Sequence, residues 1–95
     1  MAMTPEGKVK DKIKKYLKQK GIYYVMPATG GYGSSGVPDI LVCHEGRFIA
    51  IECKANGNKP TALQTDNLNR ISLGGGIATV ADEKNVDELI KELFE

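Results

Sequence analysis

Two strand-like segments meet at a two-residue turn, and this hairpin constrains the fold more than any other feature of the sequence. Only Glu45 and Gly46 separate "VPDILVCH" from "RFIAIECK". Because a two-residue turn fixes which residues of a hairpin face each other, counting outward from the turn places Asp39 directly opposite Glu52. Opposed residues share a face, with Cβ atoms roughly 4.5–5.5 Å apart. The sequence therefore predicts two carboxylates side by side at the open end of the hairpin.

This pair of acids needs an explanation, because an unpartnered buried charge is costly. Three arrangements stabilise such a pair: a shared proton, a neutralising lysine or a divalent cation. Lys54 lies two residues beyond Glu52 on the same face, but one lysine satisfies only part of the pair. A hard cation such as Mg²⁺, held by one or two carboxylates and otherwise by water and substrate phosphate, fits these residues best.

The rest of the hairpin is apolar on both faces. The face opposite the carboxylates carries Ile40, Val42, Ile49, Ile51 and Cys53, and the face that they share carries Leu41, Phe48 and Ala50. We therefore expect a sheet that is covered on both sides. Cys43 and Cys53 point to opposite faces and lack the spacing of a zinc site, so we expect two free thiols.

The remaining segments predict the order α-β-β-β-α-β-α. A helix opens at Thr4 and Pro5 and stops at Gly21. "IYYVM" and "IATVA" are strand-like, "TALQTDNLNRISL" is a helix opened by a Thr61/Gln64 capping box, and "NVDELIKELF" is a closing helix. The expected fold class is α/β, with a mixed β-sheet flanked by helices.

Composition indicates one globular domain over residues 1–95. The chain has 41% hydrophobic and 26% charged residues and a net charge of +1, which excludes a disordered chain. It contains no apolar run of membrane-spanning length, and its N-terminal segment lacks the apolar core of a signal peptide. We therefore expect a cytoplasmic protein without a membrane partner.

Charge is distributed unevenly along the chain. Residues 1–20 contain seven lysines against Glu6 and Asp11, whereas residues 82–95 contain six acids against Lys84 and Lys91. A lysine-rich helix face is often only solvated. The alternative is an electrostatic surface for nucleic acid, and this pattern alone leaves both interpretations open.

The glycine-rich segment "ATGGYGSSG" contains a formal G-x-G-x-x-G that starts at Gly31. A dinucleotide site requires a helix directly after this motif, but Val37, Pro38 and a strand follow. We therefore predict no nucleotide cofactor. The glycines and serines of the segment can approach a ligand backbone, and Tyr32 can stack on a base.

Three segments in this order, "GVPDI", "IECK" and "PTALQ", resemble the PD-(D/E)XK nuclease superfamily. Within it they resemble the VRR-NUC (virus-type replication-repair nuclease) family, especially its small stand-alone phage-type members. The resemblance extends from Glu6 to about Val80. D…E-x-K alone is a weak signal, whereas G-x-P-D, E-x-K and a following Gln at this spacing are together more specific.

The resemblance implies a role for each matching residue. Asp39 and Glu52 are expected to ligate the metal together with the backbone carbonyl of Cys53, and Lys54 is expected to be the catalytic lysine.

Two further residues have roles implied by the resemblance and structural roles of their own. Glu6 is a candidate additional ligand, and Gln64 is expected to position water or phosphate. Glu6 in the first turn of a helix also complements the helix dipole, and Gln64 also serves the capping box.

The resemblance further implies a Mg²⁺- or Mn²⁺-dependent DNA endonuclease. A homodimer acting on branched DNA such as a four-way (Holliday) junction is expected, in the host cytoplasm if the chain is phage-encoded. Residues expected to contact DNA are Lys8, Lys12, Lys15, Tyr32, Ser34 and Ser35. The alternatives are a non-catalytic nucleic-acid-binding domain that retains the nuclease fold, and a small protein-interaction module whose basic helix binds an acidic partner.

Overall fold

The computed structural model describes residues 3–28 and 36–95. In chain order the elements are α1 (Pro5–Lys20), β1 (Tyr23–Val25), β2 (Ile40–His44), β3 (Arg47–Cys53), α2 (Ala62–Leu73), β4 (Ile77–Ala81) and α3 (Val86–Phe94). The predicted order α-β-β-β-α-β-α is confirmed. Most of the glycine-rich segment falls between these ranges, so its predicted DNA contacts at Tyr32, Ser34 and Ser35 lie outside the described residues.

The four strands form one mixed sheet in the order β1-β2-β3-β4. β1 and β3 each run antiparallel to β2, and β4 runs parallel to β3. The hairpin register is the predicted one, from His44 opposite Arg47 to Ile40 opposite Ile51. Glu45 and Gly46 both have positive φ angles, 51° and 76°, as the two-residue turns that match strand twist require.

Strand β2 begins later than the sequence pattern suggests. Pro38 has no N–H to donate to a ladder, and Gly36 has a left-handed φ of 80°. The ladder therefore starts at Ile40, and Asp39 lies in the bend directly before it. At the other side of the hairpin, β3 ends at Cys53, although the N–H of Lys54 still donates to the Ala81 carbonyl at 2.9 Å.

Helices α1 and α3 cover one face of the sheet and form the core with it. α1 is capped by Thr4, whose hydroxyl accepts from the N–H of Gly7 at 3.0 Å. The buried core residues of the two helices are Val9, Ile13, Leu17, Val86, Ile90 and Leu93. The sheet contributes the face predicted to lie opposite the carboxylates, namely Ile40, Val42, Ile49, Ile51 and Cys53.

The other face is covered only in part, so the expectation of a sheet covered on both sides is wrong for β1, β2 and the start of β3. α2 packs against β4 and β3 and buries none of its own residues completely. Beyond its reach Tyr23 is 71% exposed and Phe48 is 47% exposed. We call this region the apolar sheet face, and it comprises Tyr23, Val25, Leu41, Cys43 and Phe48.

The two cysteines are free, as expected. Cys43 is exposed on the apolar sheet face, and Cys53 is buried in the core on the opposite side of the sheet. Among residues 3–28 and 36–95 no helix is both long enough and apolar enough to cross a membrane.

Candidate active site

Asp39 is held against the end of β3 by a hydrogen bond to the backbone. Its Oδ2 accepts from the N–H of Cys53 at 2.8 Å. In an extended strand the N–H and C=O of one residue point toward the same neighbouring strand, so the Cys53 carbonyl is directed toward the side of the sheet on which Asp39 lies. Burial raises the pKa of the Cys53 thiol to about 12, and the Asp39 charge adds to this rise. The thiol is therefore neutral, and only the carbonyl of Cys53 is a candidate metal ligand.

Glu52 is a buried carboxylate with an incomplete set of partners. Its residue is 2% exposed, and Oε2 lies 3.6 Å from the Lys54 ammonium. Within the part of the chain that the structure describes, its Oε1 atom has no hydrogen-bond partner. Buried polar atoms are rarely left unpaired, because their desolvation is uncompensated. Among the described atoms of the site, this oxygen is therefore the one most available to a further ligand.

The ionisation of Glu52 is strongly perturbed. Burial raises its pKa from 4.5 to about 7, and repulsion by Asp39 acts in the same direction. Lys54 opposes this rise in the pKa, whereas the charge of Glu6 adds to it. A carboxylate pair with one strongly raised pKa can accept either a proton or a cation at neutral pH.

Lys10 also reaches the paired carboxylates, from the first helix. Its ammonium lies 3.3 Å from Asp39 Oδ1 and 3.7 Å from Glu6 Oε2. Partial burial lowers the pKa of Lys10, but the charges of Asp39 and Glu6 outweigh that effect and raise it overall. Sequence reasoning missed this residue, because Lys10 is one lysine among several until the packing of α1 on the sheet is known.

Gln64 occupies the third position of α2 and completes the predicted capping box. Its Oε1 accepts from the N–H of Thr61 at 2.9 Å, and its own N–H donates to the Thr61 hydroxyl at 3.2 Å. The structural role of Gln64 is thus confirmed, and its role toward water or phosphate stays a prediction.

Two of the lysines expected to contact DNA form ion pairs within the protein. Lys12 lies 2.7 Å from Asp87 of α3, and Lys15 lies 2.9 Å from Asp11. Lys8 and Lys12 line a groove of about 310 Å³ between α1 and α3. The lysine-rich helix is therefore less strongly charged on this side than its sequence suggests.

The residues of this site fit a hard divalent cation. Among the described residues no three His, Cys, Asp or Glu side chains are grouped as a metal site. The oxygen atoms near one another here are those of Asp39 and Glu52 and the backbone carbonyl of Cys53, which are candidate ligands. Mg²⁺ characteristically takes few carboxylates and retains water or substrate phosphate as its other ligands. Glu52 Oε1, which has no hydrogen-bond partner among the described residues, is available to such a cation.

A mixed sheet that presents two carboxylates and a lysine at one end of a hairpin is the arrangement expected of a nuclease of the PD-(D/E)XK class. The chain belongs to the archaeal Holliday junction resolvase (Hjc) family, which residues 5–73 match. The resemblance to VRR-NUC proteins found in the sequence is confirmed by a solved VRR_NUC domain with a TM-score of 0.77 and 27% identity, which covers 97% of this chain and 100% of that one.

Two further relatives agree with this assignment. "Putative nuclease p44" of Acyrthosiphon pisum secondary endosymbiont phage 1 is 35% identical over 86 residues, or 84% of this chain and 89% of that protein. The structure of Archaeoglobus fulgidus Hjc, described as a Holliday junction resolvase, has a TM-score of 0.58 and 23% identity, with 78% of this chain and 64% of that chain covered. At this identity the second comparison shows the fold alone.

Proposed function

We propose that this protein is a divalent-cation-dependent endonuclease that hydrolyses phosphodiester bonds of branched DNA, with the four-way junction as its substrate. One observation carries the proposal: within residues 3–28 and 36–95, buried Glu52 has a carboxylate oxygen without a hydrogen-bond partner beside Asp39. Membership of the resolvase family supports the choice of substrate. The phage origin of one relative supports action in the cytoplasm of a host cell.

The cation, Mg²⁺ or Mn²⁺, is held by the Asp39 and Glu52 carboxylates and by the backbone carbonyl of Cys53. All three groups offer the oxygen ligands that these ions prefer. Glu6 is a further candidate ligand, because its carboxylate reaches toward Asp39 through their shared partner Lys10.

The chemistry that a bound Mg²⁺ or Mn²⁺ supplies is polarisation of the scissile phosphate and a lowered pKa of bound water. Lys54 places a positive charge beside Glu52, with its side chain only 13% exposed. Because a charge in a partly desolvated site acts strongly on charge that develops nearby, Lys54 orients the attacking water and stabilises the negative charge on the phosphate. Gln64 helps to position water or phosphate from the start of α2.

DNA is held mainly through its phosphates, since these supply most of any sequence-independent affinity. Lys8, Lys12 and Lys15 on α1 are the proposed cationic contacts. For Lys12 and Lys15, phosphate then competes with the acidic partners Asp87 and Asp11. The loop residues proposed to contact DNA are Tyr32, Ser34 and Ser35.

The working species is a homodimer. A four-way junction has two-fold symmetry, and two related cuts require two sites, which a two-fold dimer provides. The apolar sheet face supports this proposal, because contiguous exposed apolar surface is characteristic of interaction sites. The second copy covers Tyr23 and Phe48, which are otherwise exposed.

The test compares a labelled four-way junction with a linear duplex of the same sequence, in Mg²⁺, in Mn²⁺ and in chelator. The parent protein is expected to cut the junction only with a divalent ion. Asp39→Asn, Glu52→Gln and Lys54→Met are expected to lower the rate by roughly 10²-fold or more, the loss typical for one electrostatic catalytic group. Lys18→Met and Glu92→Gln are exposed controls and should cut normally.

Two results would contradict the proposal. Cleavage that persists in chelator would exclude the divalent cation. Full activity in Lys54→Met, together with normal junction binding, would show that the lysine is not part of the catalytic site.

A further inference from the structure

Lys10 occupies a special position among the lysines of α1. It lies four positions after Glu6, so both side chains lie on one face of the helix. This face meets the sheet at Asp39. Its ammonium lies 3.3 Å from Asp39 Oδ1 and 3.7 Å from Glu6 Oε2. Lys10 thus links the start of the first helix to the predicted metal ligand.

Both oxygens of Asp39 are already engaged. Oδ2 accepts the N–H of Cys53 at 2.8 Å, and Oδ1 faces the Lys10 ammonium. The bond to Cys53 fixes the carboxylate on β3, so Oδ1 is the oxygen that remains for a metal ion. The oxygen needed by a divalent cation is therefore the one that Lys10 holds.

The surroundings distinguish Lys10 from the other cation of the site. Lys54 pairs with Glu52 at the buried end, where the two side chains are 13% and 2% exposed. Lys10 is 31% exposed and Asp39 is 12% exposed. The Lys10 ammonium therefore lies at the mouth of the site, where water can replace Asp39 as its partner at small cost.

We propose that, in the protein without metal, the Lys10 ammonium pairs with Asp39 Oδ1, and that a divalent ion displaces this ammonium when it binds. Lys10 is in this sense a positioning residue: it acts on the reaction through Asp39. The inference rests on the proposed metal site. It adds that Lys10 stabilises the site without metal and competes with metal for it.

The charges of the groups around Asp39 explain why a lysine beside it stabilises the protein without metal. The three carboxylates of Glu6, Asp39 and Glu52 face the two cations Lys10 and Lys54. Without Lys10 the repulsion between Asp39 and Glu52 would be balanced by Lys54 alone. A divalent ion replaces the charge of Lys10 and also reaches Glu52 Oε1, which Lys10 does not contact.

The experiment measures Mn²⁺ binding to the whole protein by calorimetry and by electron paramagnetic resonance, and melting with and without Mn²⁺. The variants are Lys10→Met and Lys14→Met. Lys14 lies one turn beyond Lys10 on the same helix face and forms no ion pair among the described residues, so it controls for the loss of one positive charge. Lys10→Met is expected to bind Mn²⁺ about two- to fivefold more tightly than Lys14→Met, the range for loss of one partly exposed ion pair.

The melting data separate this role from simple structural support. In chelator Lys10→Met should melt below the parent, and added Mn²⁺ should raise its melting temperature more than that of the parent. A purely structural lysine would lower the melting temperature without tightening Mn²⁺ binding. Should Lys10→Met fail to fold, lysine side-chain NMR of the parent provides the test, since added Mg²⁺ should move the Lys10 ε-methylene signals toward those of exposed lysines.

Three outcomes would overturn the inference. If the parent binds Mn²⁺ and Lys10→Met binds it no more tightly than Lys14→Met, Lys10 does not compete with metal, and the proposed metal site stands. If the Lys10 signals are unchanged by Mg²⁺ in a parent that binds the ion, displacement is excluded. If neither parent nor variant binds a divalent ion, this inference and the proposed function both fail.

Discussion

The Asp39 carboxylate accepts a 2.8 Å hydrogen bond from the backbone N–H of Cys53, the residue between Glu52 and Lys54. This bond joins the bend before β2 to the end of β3, beyond the last pair of the ladder at Ile40 and Ile51. It keeps Asp39 in place despite the repulsion of its neighbour Glu52. Charge and hydrogen bonding at Asp39 therefore have separate effects that two substitutions can distinguish.

Asp39→Asn should abolish cleavage and leave the fold nearly as stable, because the amide oxygen can still accept from Cys53. Asp39→Ala should abolish cleavage and also unfold more easily, by about 1–3 kcal/mol, since the buried N–H of Cys53 loses its acceptor. Urea denaturation measures the stability, and junction cleavage measures the activity. Equal stability of the two variants would show that the hydrogen bond contributes little.

Glu52 is expected to make the metal-free protein less stable as pH rises. The native carboxyl keeps its proton up to pH about 7, whereas the unfolded chain releases it near 4.5. Native protein therefore binds more protons between these values, and the free energy of unfolding falls as pH increases through this window. The stabilisation present below pH 4.5 is lost above pH 7.

Glu52→Gln removes this titration and should flatten the pH profile of stability. Above pH 7 in chelator the variant should be more stable than the parent, by on the order of 2–3 kcal/mol. Melting curves from pH 4 to 8 in chelator provide the measurement. Parallel profiles for parent and variant would exclude a raised pKa at Glu52.

The apolar sheet face provides a prediction for assembly. If the proposed dimer forms through this face, Phe48→Glu should give a monomer of 10.3 kDa and lower junction cleavage, without a change near the paired carboxylates. Light scattering at micromolar concentration gives the mass. Leu73→Glu is the matched control, because Leu73 is even more exposed but lies at the end of α2, outside this face. A Phe48→Glu protein that remains dimeric would place the interface elsewhere.

Gly36 lies three positions before Asp39, where the chain approaches β2. It has a φ of 80°, and a Cβ there would lie 2.7 Å from the carbonyl carbon of Leu63 and 2.8 Å from its oxygen. Gly36→Ala should therefore lower the free energy of unfolding by about 2–4 kcal/mol, through backbone strain and steric overlap.

Gly46→Ala serves as the control for strain alone. Gly46 has a similar φ of 76°, and its Cβ would meet no atom within 4 Å. Its substitution should cost only about 1–2 kcal/mol. Urea denaturation of both variants measures the difference, and equal costs would show that Leu63 moves away without penalty.

The position of the paired carboxylates could be predicted from the sequence because one short turn determined it. The turn at Glu45 and Gly46 fixed the register, and register determines which residues oppose each other. The capping box of α2 was likewise encoded locally, in Thr61 and Gln64. Both features depend on residues close together in the chain.

Features that depend on how separate elements pack could not be predicted. The pairing of Lys10 with Asp39 depends on where α1 crosses the sheet, and that of Lys12 with Asp87 depends on the distance between α1 and α3. The exposure of Phe48 could not be predicted either, because the sequence of β3 is as apolar as that of a strand covered on both faces. The position of α2 on the sheet determines which part of that face remains exposed.

The closing helix ends beside the hairpin turn. The Leu93 carbonyl accepts from the Arg47 side chain at 2.9 Å, and the Phe94 ring packs against His44 with centroids 5.5 Å apart. The paired carboxylates lie at the other end of the same hairpin, where α1 begins at Pro5. A fluorophore or surface tether attached after the last helix therefore stands far from the paired carboxylates, whereas the same group attached ahead of the first helix would stand close to them. Immobilisation for single-molecule recording should therefore use an attachment after α3.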